Sequence, residues 1–180
     1  GGSYTAYFPK DIMIPYAELQ VTTNFTFLEG ASHPDELVFQ AASKGLKAIG
    51  ITDRNSLSSI VRAHIAAKEA GIKLMVGARL DLRDGASLLA FPMNRAAYGC
   101  LSRLITLGRR RAEKGDCELY RQDVIKIAQD TVLISLPPEV PDFIFERELQ
   151  EWRQAFPGNV YLAAHHLSRG DDDSKLHTLA

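Results

Sequence analysis

The sequence predicts an α/β fold, in which short apolar strands alternate with amphipathic helices. Two stretches carry this prediction, because Gly45-Leu46-Lys47-Ala48-Ile49 and Gly71-Ile72-Lys73-Leu74-Met75 share an order of glycine, aliphatic residue, lysine and apolar strand. In each stretch the glycine can end a helix before the strand begins. The 180 residues, 46% hydrophobic and 24% charged, are enough for one domain with its own core.

The elements are predicted to follow one another as strand and helix units. The first strand covers residues 17–22 and leads to a helix over 34–44, since Pro34 suits a first helical turn and Asp35 and Glu36 complement the helix dipole. Right-handed crossovers would place the first strands parallel and adjacent. The later elements are, in order, strand 47–52, helix 56–70, strand 73–82, strand 87–91, helix 94–113, helix 121–129, strand 131–136, a helix that ends at Pro157 and strand 160–164.

Charge and composition exclude several classes of protein. With 21 basic and 22 acidic side chains the net charge is -1, which argues against a domain that binds nucleic acid by electrostatics alone. The longest stretch without a charged side chain, residues 154–168, contains proline and glycine and cannot span a membrane. Residues 1–10 lack a secretion signal, and Cys100 and Cys117 lack zinc-site spacing, so we expect a cytoplasmic protein. Residues 1–15 are interpreted as an extension or cloning remnant.

Functional side chains in strand and helix folds gather where strands end, because helix N-termini converge there. One histidine, His64, lies elsewhere, on a predicted helix face shared with Leu57, Ile60 and Val61. We expect His64 to be a structural residue, with a ligand role as the alternative. The side chains expected at the strand ends are Gln20, Thr22, Glu29, Asp53, Arg54, Arg79, Ser87, His165 and His166.

Several ordered blocks of the sequence resemble one known family. They are Tyr16-Ala17-Glu18-Leu19, Asn24-Phe25-Thr26-Phe27-Leu28-Glu29-Gly30-Ala31-Ser32, Ala48-Ile49-Gly50-Ile51-Thr52-Asp53 and Ala66-Ala67-Lys68-Glu69-Ala70-Gly71-Ile72-Lys73-Leu74. The blocks resemble the polymerase and histidinol phosphatase (PHP) domain that opens the alpha subunit of bacterial C-family DNA polymerases. Val61-Arg62-Ala63-His64 and the run from Arg109 to Gly115 make the resemblance closest to error-prone, translesion-type subunits.

The resemblance implies a distorted (β/α)7, TIM-like barrel over residues 16–180. The family's closing Asp-x-His motif falls beyond residue 180, so we expect the barrel to be truncated at its C-terminus. Active members of the family hold a cluster of Zn, Mn or Mg ions at the strand ends. Such a cluster generates hydroxide and stabilises charge on a phosphate.

Most of the implied metal ligands are replaced in this sequence. The family's His-x-His motif reads Gln20-Val21-Thr22, its next aspartate is Glu29, and its Thr-Asp-His motif keeps Asp53 but ends in Arg54. A family glutamate corresponds to Arg79, and a family histidine to Ser87. A guanidinium is always charged and has no lone pair to donate, so we expect no metal cofactor.

The resemblance therefore implies a catalytically degenerate domain that serves as a structural scaffold. Its partners would be the remaining polymerase domains of the same chain, and DNA would be contacted only through that parent polymerase. We expect Arg54 or Arg79 to pair with Asp53 or Glu29 in place of the lost metals. The run Arg109–Arg111 is interpreted as a solvated or domain-contacting face, with a phosphate-backbone contact as the alternative.

Two other functions stay open from the sequence. The first is a metal-dependent phosphoesterase or 3′-5′ proofreading exonuclease that would use Glu29, Asp53 and one of His165 and His166. The second is a free-standing interaction module. A metal cluster at the strand ends would favour the first, and the length of the native chain would separate the second from a polymerase domain.

Overall fold

A computed structural model describes residues 15–164 of the chain. Within this part the predicted elements are found in the predicted order. Most of their boundaries lie within two or three residues of the predicted boundaries. The elements are β1 Ala17–Val21, α1 Pro34–Ser43, β2 Ala48–Ile51, α2 Ile60–Ala70, β3 Lys73–Val76, β4 Ala78–Leu80, β5 Leu88–Pro92, α3 Arg95–Arg111, α4 Arg121–Ile127, β6 Thr131–Ser135, α5 Phe143–Ala155 and β7 Val160–Leu162. His165 and His166 lie outside the described residues.

The strands form two sheets. The first has the order β1-β2-β3 and is parallel throughout, as the two glycine-closed units predict. The second has the order β4-β5-β6-β7, with antiparallel pairing from β4 to β6 and parallel pairing of β6 with β7. The expectation that helices separate all the strands is wrong here, because no helix lies between β3 and β4 or between β4 and β5.

Gly77 divides the predicted strand 73–82 into two strands that join different sheets. A Cβ atom at Gly77 would lie 2.7 Å from Phe91 Cε1 on β5, so a larger residue here would have to displace the aromatic ring. Beyond the turn, the Arg79 amide donates to Asp53 O at 3.1 Å and the Asn55 amide donates to Arg79 O at 2.7 Å. These bonds join the chain after β2 to β4, and thereby connect the sheets.

Helix α2 differs from its prediction in its start and in its buried face. Ser56 accepts a hydrogen bond from the Ser58 amide at 3.2 Å, a local turn that delays the helix until Ile60. The predicted face is right for Ile60 and Leu57, which pack on the core, and wrong for Val61, which is 69% exposed, and for the exposed His64. The buried face consists of Ile60, Ala63, Ala66 and Ala67. Three alanines let the helix pack closely on its neighbours, so residue size decides the face.

Two hydrophobic clusters form the core of the described chain. One packs α1 and α2 on the first sheet, and the other packs α3, α4 and α5 on the second sheet around the fully buried Trp152. Leu57 contacts both clusters. None of the helices between residues 15 and 164 has the length and apolar character needed to cross a membrane.

Candidate functional site

The chain after β2 pairs with β4, and the loop after β1 reaches the same place through Glu29. The link is the pairing of Arg54 with Arg79, which sets these two side chains on neighbouring strands. Around them lie Glu29 from the loop after β1, Asp81 just after β4 and Ser87 just before β5. We call these five residues the arginine–carboxylate cluster.

Both guanidinium groups of the cluster bridge the same two carboxylates. Arg54 Nη1 and Arg79 Nη1 each lie 3.4 Å from one oxygen of Glu29. The two Nε atoms contact Asp81, at 2.5 Å from Arg54 and 2.8 Å from Arg79. Ser87 Oγ donates a further hydrogen bond to Asp81 Oδ1 at 2.8 Å. Two cations thus face two anions, and the cluster carries no net charge.

Asp53 lies beside the cluster but is fully buried and takes no part in its ion pairs. Its carboxylate accepts hydrogen bonds from the Thr23 amide at 2.8 Å, from Thr23 Oγ1 at 2.9 and 3.0 Å, and from Thr26 Oγ1 at 2.8 Å. Ser59 Oγ is the fourth donor. Four donors match the four lone-pair positions of a carboxylate, so Asp53 has no free acceptor for a metal ion.

The predicted pairing of Arg54 or Arg79 with Glu29 or Asp53 is therefore confirmed, and the partner is Glu29 and not Asp53. The reason is that Thr23, Thr26 and Ser59 surround the Asp53 carboxylate with neutral donors. Hydrogen bonds to every lone pair offset much of the cost of burying an anion. The arginines, which are 29% and 52% exposed, remain at the surface instead.

The other predicted site residues are not brought into the cluster. Gln20 lies on β1 and lines a groove between β1 and β7. Thr22 is half-buried and, within residues 15–164, its side chain makes no bond to the cluster. His64 is exposed on α2, so the expectation of a packed histidine on an apolar face is wrong. His165 and His166 cannot be placed, because they lie outside the described residues.

One residue of the cluster outside the family motifs, Asp81, could have been inferred from its spacing in the sequence. Asp81 stands two residues after Arg79, and alternate residues of an extended chain point to the same side, which is how the pair meets. The hydroxyls of Thr23, Thr26 and Ser59 had no comparable signal, since they come from two loops that only the fold brings together.

The residues of the cluster do not fit a metal ion. Glu29 and Asp81 are each occupied by two guanidinium groups, which cannot be ligands. Across the part of the chain that the structure describes, no three His, Cys, Asp or Glu side chains come together in a manner suited to a metal. Each arginine would repel a divalent ion about 4 Å away by several kcal/mol, and this repulsion opposes the attraction of the carboxylates.

The fold and the location of this cluster define an α/β domain whose polar site lies at the ends of parallel strands. Comparison with known proteins identifies the family within this class. Residues 18–163 match the PHP domain family. The chain belongs to that family.

Relatives that the chain matches include error-prone DNA polymerases. The chain is 49% identical over 150 residues to the error-prone DNA polymerase of Caulobacter vibrioides, 83% of this chain and 14% of that protein. It is 46% identical over 165 residues to error-prone DNA polymerase 2 of Agrobacterium fabrum, 92% of this chain and 15% of that protein. The chain thus spans about one seventh of the length of these relatives.

Solved structures show the same fold at low identity. A protein of Bifidobacterium adolescentis described as a metal-dependent phosphoesterase superimposes with a TM-score of 0.69 at 15% identity, covering 91% of this chain and 82% of that chain. An amidohydrolase from Chromobacterium violaceum gives a TM-score of 0.63 at 15% identity, covering 90% and 81% of the two chains. At this identity the similarity concerns the fold alone.

Proposed function

We propose that this chain is the PHP domain of an error-prone bacterial DNA polymerase alpha subunit, that it has no catalytic metal, and that it serves as a structural scaffold. Its partners would be the remaining polymerase domains of the same chain in the bacterial cytoplasm, where DNA is contacted through those domains. The observation that carries this proposal is the double bridge of Arg54 and Arg79 across Glu29 and Asp81. Two fixed cations stand where the resemblance implies metal ligands.

The scaffold role draws support from an exposed apolar surface at the start of α5. Val140, Phe143 and Ile144 are 78%, 70% and 61% exposed. Exposed apolar side chains that cluster are typical of interaction surfaces. Because the polymerase relatives are about seven times longer than this chain, we assign this surface to a contact with the domains that follow in such a polymerase.

The finer fold is part of the same proposal. We infer that the two sheets of the described residues are the sides of one distorted (β/α)7 barrel. The bonds between Arg79 and the chain after β2 join them on one side. On the other side β1 and β7 line a common groove.

The alternative is a metal-dependent phosphoesterase or proofreading exonuclease built on Glu29 and Asp53. The name of the Bifidobacterium protein favours it. The contacts of the two carboxylates oppose it, because both guanidinium groups engage Glu29 and neutral donors saturate Asp53.

A restoration experiment tests the absence of a metal. The double variant Arg54→His and Arg79→Glu returns two positions to the residue types that the family motifs imply. We expect no Mn²⁺ or Zn²⁺ at the strand ends of the original chain, by anomalous scattering from soaked crystals, and increased metal binding in the variant. Arg62→His, which replaces an exposed α2 arginine paired with Asp35, is the matched control. Metal at the strand ends of the original chain, with phosphodiesterase activity lost in Glu29→Gln, would establish the alternative.

The scaffold role needs a separate test in the longer polymerase that the proposal implies. Phe143→Asp should lower the melting temperature of that polymerase by several degrees, since it would place a charge in a domain contact. The same substitution should leave the 180-residue chain nearly unchanged, because Phe143 is exposed there. Equal effects in both proteins would contradict a docking role for this surface.

A further inference from the structure

Helix α3 concentrates positive charge on the second half of the described chain. Its 17 residues include five arginines and no aspartate or glutamate. This composition differs from that of the whole chain, whose net charge is only -1. The five arginines also differ in whether their charge is already paired, and this difference defines a surface.

The three consecutive arginines at the end of α3 point in three directions, because successive residues of a helix are about 100° apart. Arg109 Nη2 donates to the backbone carbonyl of Asn55 at 2.9 Å. Arg111 donates to both oxygens of Asp123, at 2.7 and 3.2 Å. Arg110 is exposed and joins no ion pair within residues 15–164. The run in the sequence is therefore not one surface.

Arg110 instead shares a side of the helix with Arg95 and Arg103. At 3.6 residues per turn the three lie within a sector of about 80°, and all are exposed. Arg103 Nη2 lies 3.1 Å from the Cys100 thiol, and neither Arg95 nor Arg103 is paired with a carboxylate in the described part of the chain. We call these three residues the α3 arginine face. The helix buries its other side, which consists of Ala97, Leu101, Leu104, Ile105 and Gly108.

Small side chains lie between these arginines. A Cβ atom at Gly99 would have no neighbour within 4 Å, so this point of the face is open. Ser102 and Thr106 are exposed, and with Arg103 and Arg110 they line part of a shallow depression of about 580 Å³. An anion can thus approach the guanidinium groups closely without meeting a large side chain.

The α3 arginine face is long as well as positive. Each helical residue adds about 1.5 Å, so Arg95 and Arg110 are about 22 Å apart along the axis. A single carboxylate or a free phosphate would meet only one of the three arginines. Acidic residues are found at the ends of the helix, where Asp130 accepts a bond from Asn94 at 3.3 Å and Glu113 follows the last turn. The face therefore fits an extended polyanion.

We propose that the α3 arginine face binds the phosphate backbone of duplex DNA. A duplex carries one negative charge per roughly 1.7 Å of its axis, so a length equal to α3 meets all three arginines at once. Guanidinium groups form strong charge-assisted hydrogen bonds with phosphate oxygens. The single aromatic side chain of α3, Tyr98, lies outside the 80° sector, so the bases of a single strand would find no ring on this face to stack on.

This inference rests on the proposed function, because a polymerase is what would bring a duplex to the domain. It adds one contact by this domain to the DNA contacts that we assign to the domains that follow. Contacts to phosphates do not distinguish bases, so the face would hold a duplex without reading its sequence. Three arginines provide a weak contact, which agrees with the near-neutral charge of the whole chain. An acidic protein segment is the competing partner.

An NMR titration of the isotope-labelled protein with a short duplex of mixed sequence, repeated at increasing salt, tests the proposal. We expect amide shifts along the exposed side of α3. The logarithm of the affinity should fall with the logarithm of the salt concentration with a slope of about -2.7, or 0.9 for each of three phosphates. Arg95→Gln, Arg103→Gln and Arg110→Gln should each weaken binding several-fold and reduce this slope by about 0.9. All three side chains are exposed, so the variants should fold.

The matched control is Arg62→Gln, which removes the same charge from an exposed arginine of α2 that is paired with Asp35. It should leave the affinity and the slope unchanged. The proposal is overturned if the duplex fails to bind at low salt and millimolar concentration, or if Arg62→Gln weakens binding as much as the three α3 variants do. Tighter binding of poly-glutamate or of a single strand of equal length would also overturn it. These outcomes leave the metal-free site and the Phe143 contact unaffected, since metal soaks and melting temperatures test those.

Discussion

At the scale of single residues, Asp53 shows how a buried anion is stabilised without a cation. Its four donors are one amide and three hydroxyls, contributed by the loops after β1 and β2. Thr23 and Thr26 also accept bonds from the Phe25 and Arg54 amides, at 3.2 and 3.0 Å. The carboxylate therefore organises both loops and sets the position of Arg54 in the neighbouring cluster.

Replacement of Asp53 by alanine should destabilise the protein strongly. The change leaves the Thr23 amide and the hydroxyls of Thr26 and Ser59 buried without an acceptor, at a cost of about 2–4 kcal/mol in the free energy of unfolding. Urea denaturation measures this loss. Asp35→Ala, which breaks an exposed pair with Arg62, should cost less than about 1 kcal/mol. Equal losses in the two variants would show that the Asp53 bonds are not important for stability.

The sequence indicated part of this site and not the rest. The family motifs that follow each strand pointed to Glu29, Asp53, Arg54, Arg79 and Ser87. They could do so because these motifs occur in the same order along this chain as in the family. The choice of partners depended on loop conformation, which residue types do not define. Arg79 therefore meets Asp81 as well as Glu29, while Asp53 is bonded by hydroxyls.

At the scale of elements, α3 contains two glycines in opposite environments. A Cβ atom at Gly108 would lie 2.6 Å from Cys117 Sγ and 2.8 Å from Leu119 Cδ2, whereas one at Gly99 would have no neighbour within 4 Å. Gly108 thus permits the close packing of α3 on the segment that leads to α4. Gly99 has no such role.

The two positions should respond to alanine with opposite signs. Gly99→Ala should stabilise the protein by about 0.5–1 kcal/mol, because alanine favours the helix. Gly108→Ala should destabilise it by about 1–3 kcal/mol, because the packing against Cys117 and Leu119 would be strained. Thermal denaturation of both variants checks the prediction. Stabilisation by Gly108→Ala would show that α3 can move away from its neighbour.

The contact between α3 and α4 should depend on pH. Arg111 donates to both oxygens of Asp123, at 2.7 and 3.2 Å, and this bond lowers the pKa of Asp123 in the folded protein. The folded state then binds fewer protons than the unfolded state, so stability from this pair is complete above the ordinary aspartate pKa of about 3.9 and is lost as the pH falls below it.

Urea denaturation of Asp123→Asn at pH 7, 5 and 3 tests this dependence. The stability difference from the original chain should be the same at pH 7 and 5 and smaller at pH 3. In an Arg111→Gln background the same substitution should show a much weaker pH dependence. A difference that grows toward pH 3 would contradict the assignment of the pair.

The sequence predicts the order of helices and strands better than it predicts which face of an element is buried or where a strand breaks. Glycines and apolar runs marked β2, α1 and β6 because these signals are local. The break at Gly77 depends on Phe91, which lies on another strand, and the buried face of α2 depends on what packs against its alanines. Both are properties of tertiary contact, so neither spacing nor propensity could reveal them.

At the scale of the whole molecule, two hydrophobic clusters meet at Leu57 and at the strand pairing of Arg54 with Arg79. Such connections favour unfolding in one step. The chain has one tryptophan, Trp152, and it lies in the second cluster. Its fluorescence therefore reports on one cluster, and far-ultraviolet circular dichroism on both.

We expect the two signals to give the same urea midpoint. Leu57→Ala should lower that midpoint for both probes, because the side chain packs on both clusters. Val61→Ala, on an exposed side chain of α2, is the control and should change it little. Separate midpoints in the original chain would show that the clusters unfold independently.

The bridge of Arg54 and Arg79 also has a consequence for how the domain responds to its surroundings. A bound ion obeys mass action, so its occupancy falls when its free concentration falls or a chelator competes for it. A guanidinium group belongs to the chain and is present at every concentration. Under the proposed metal-free site, the charge balance at these strand ends does not depend on the metal supply of the cell, and added chelator should leave the melting temperature of this domain unchanged.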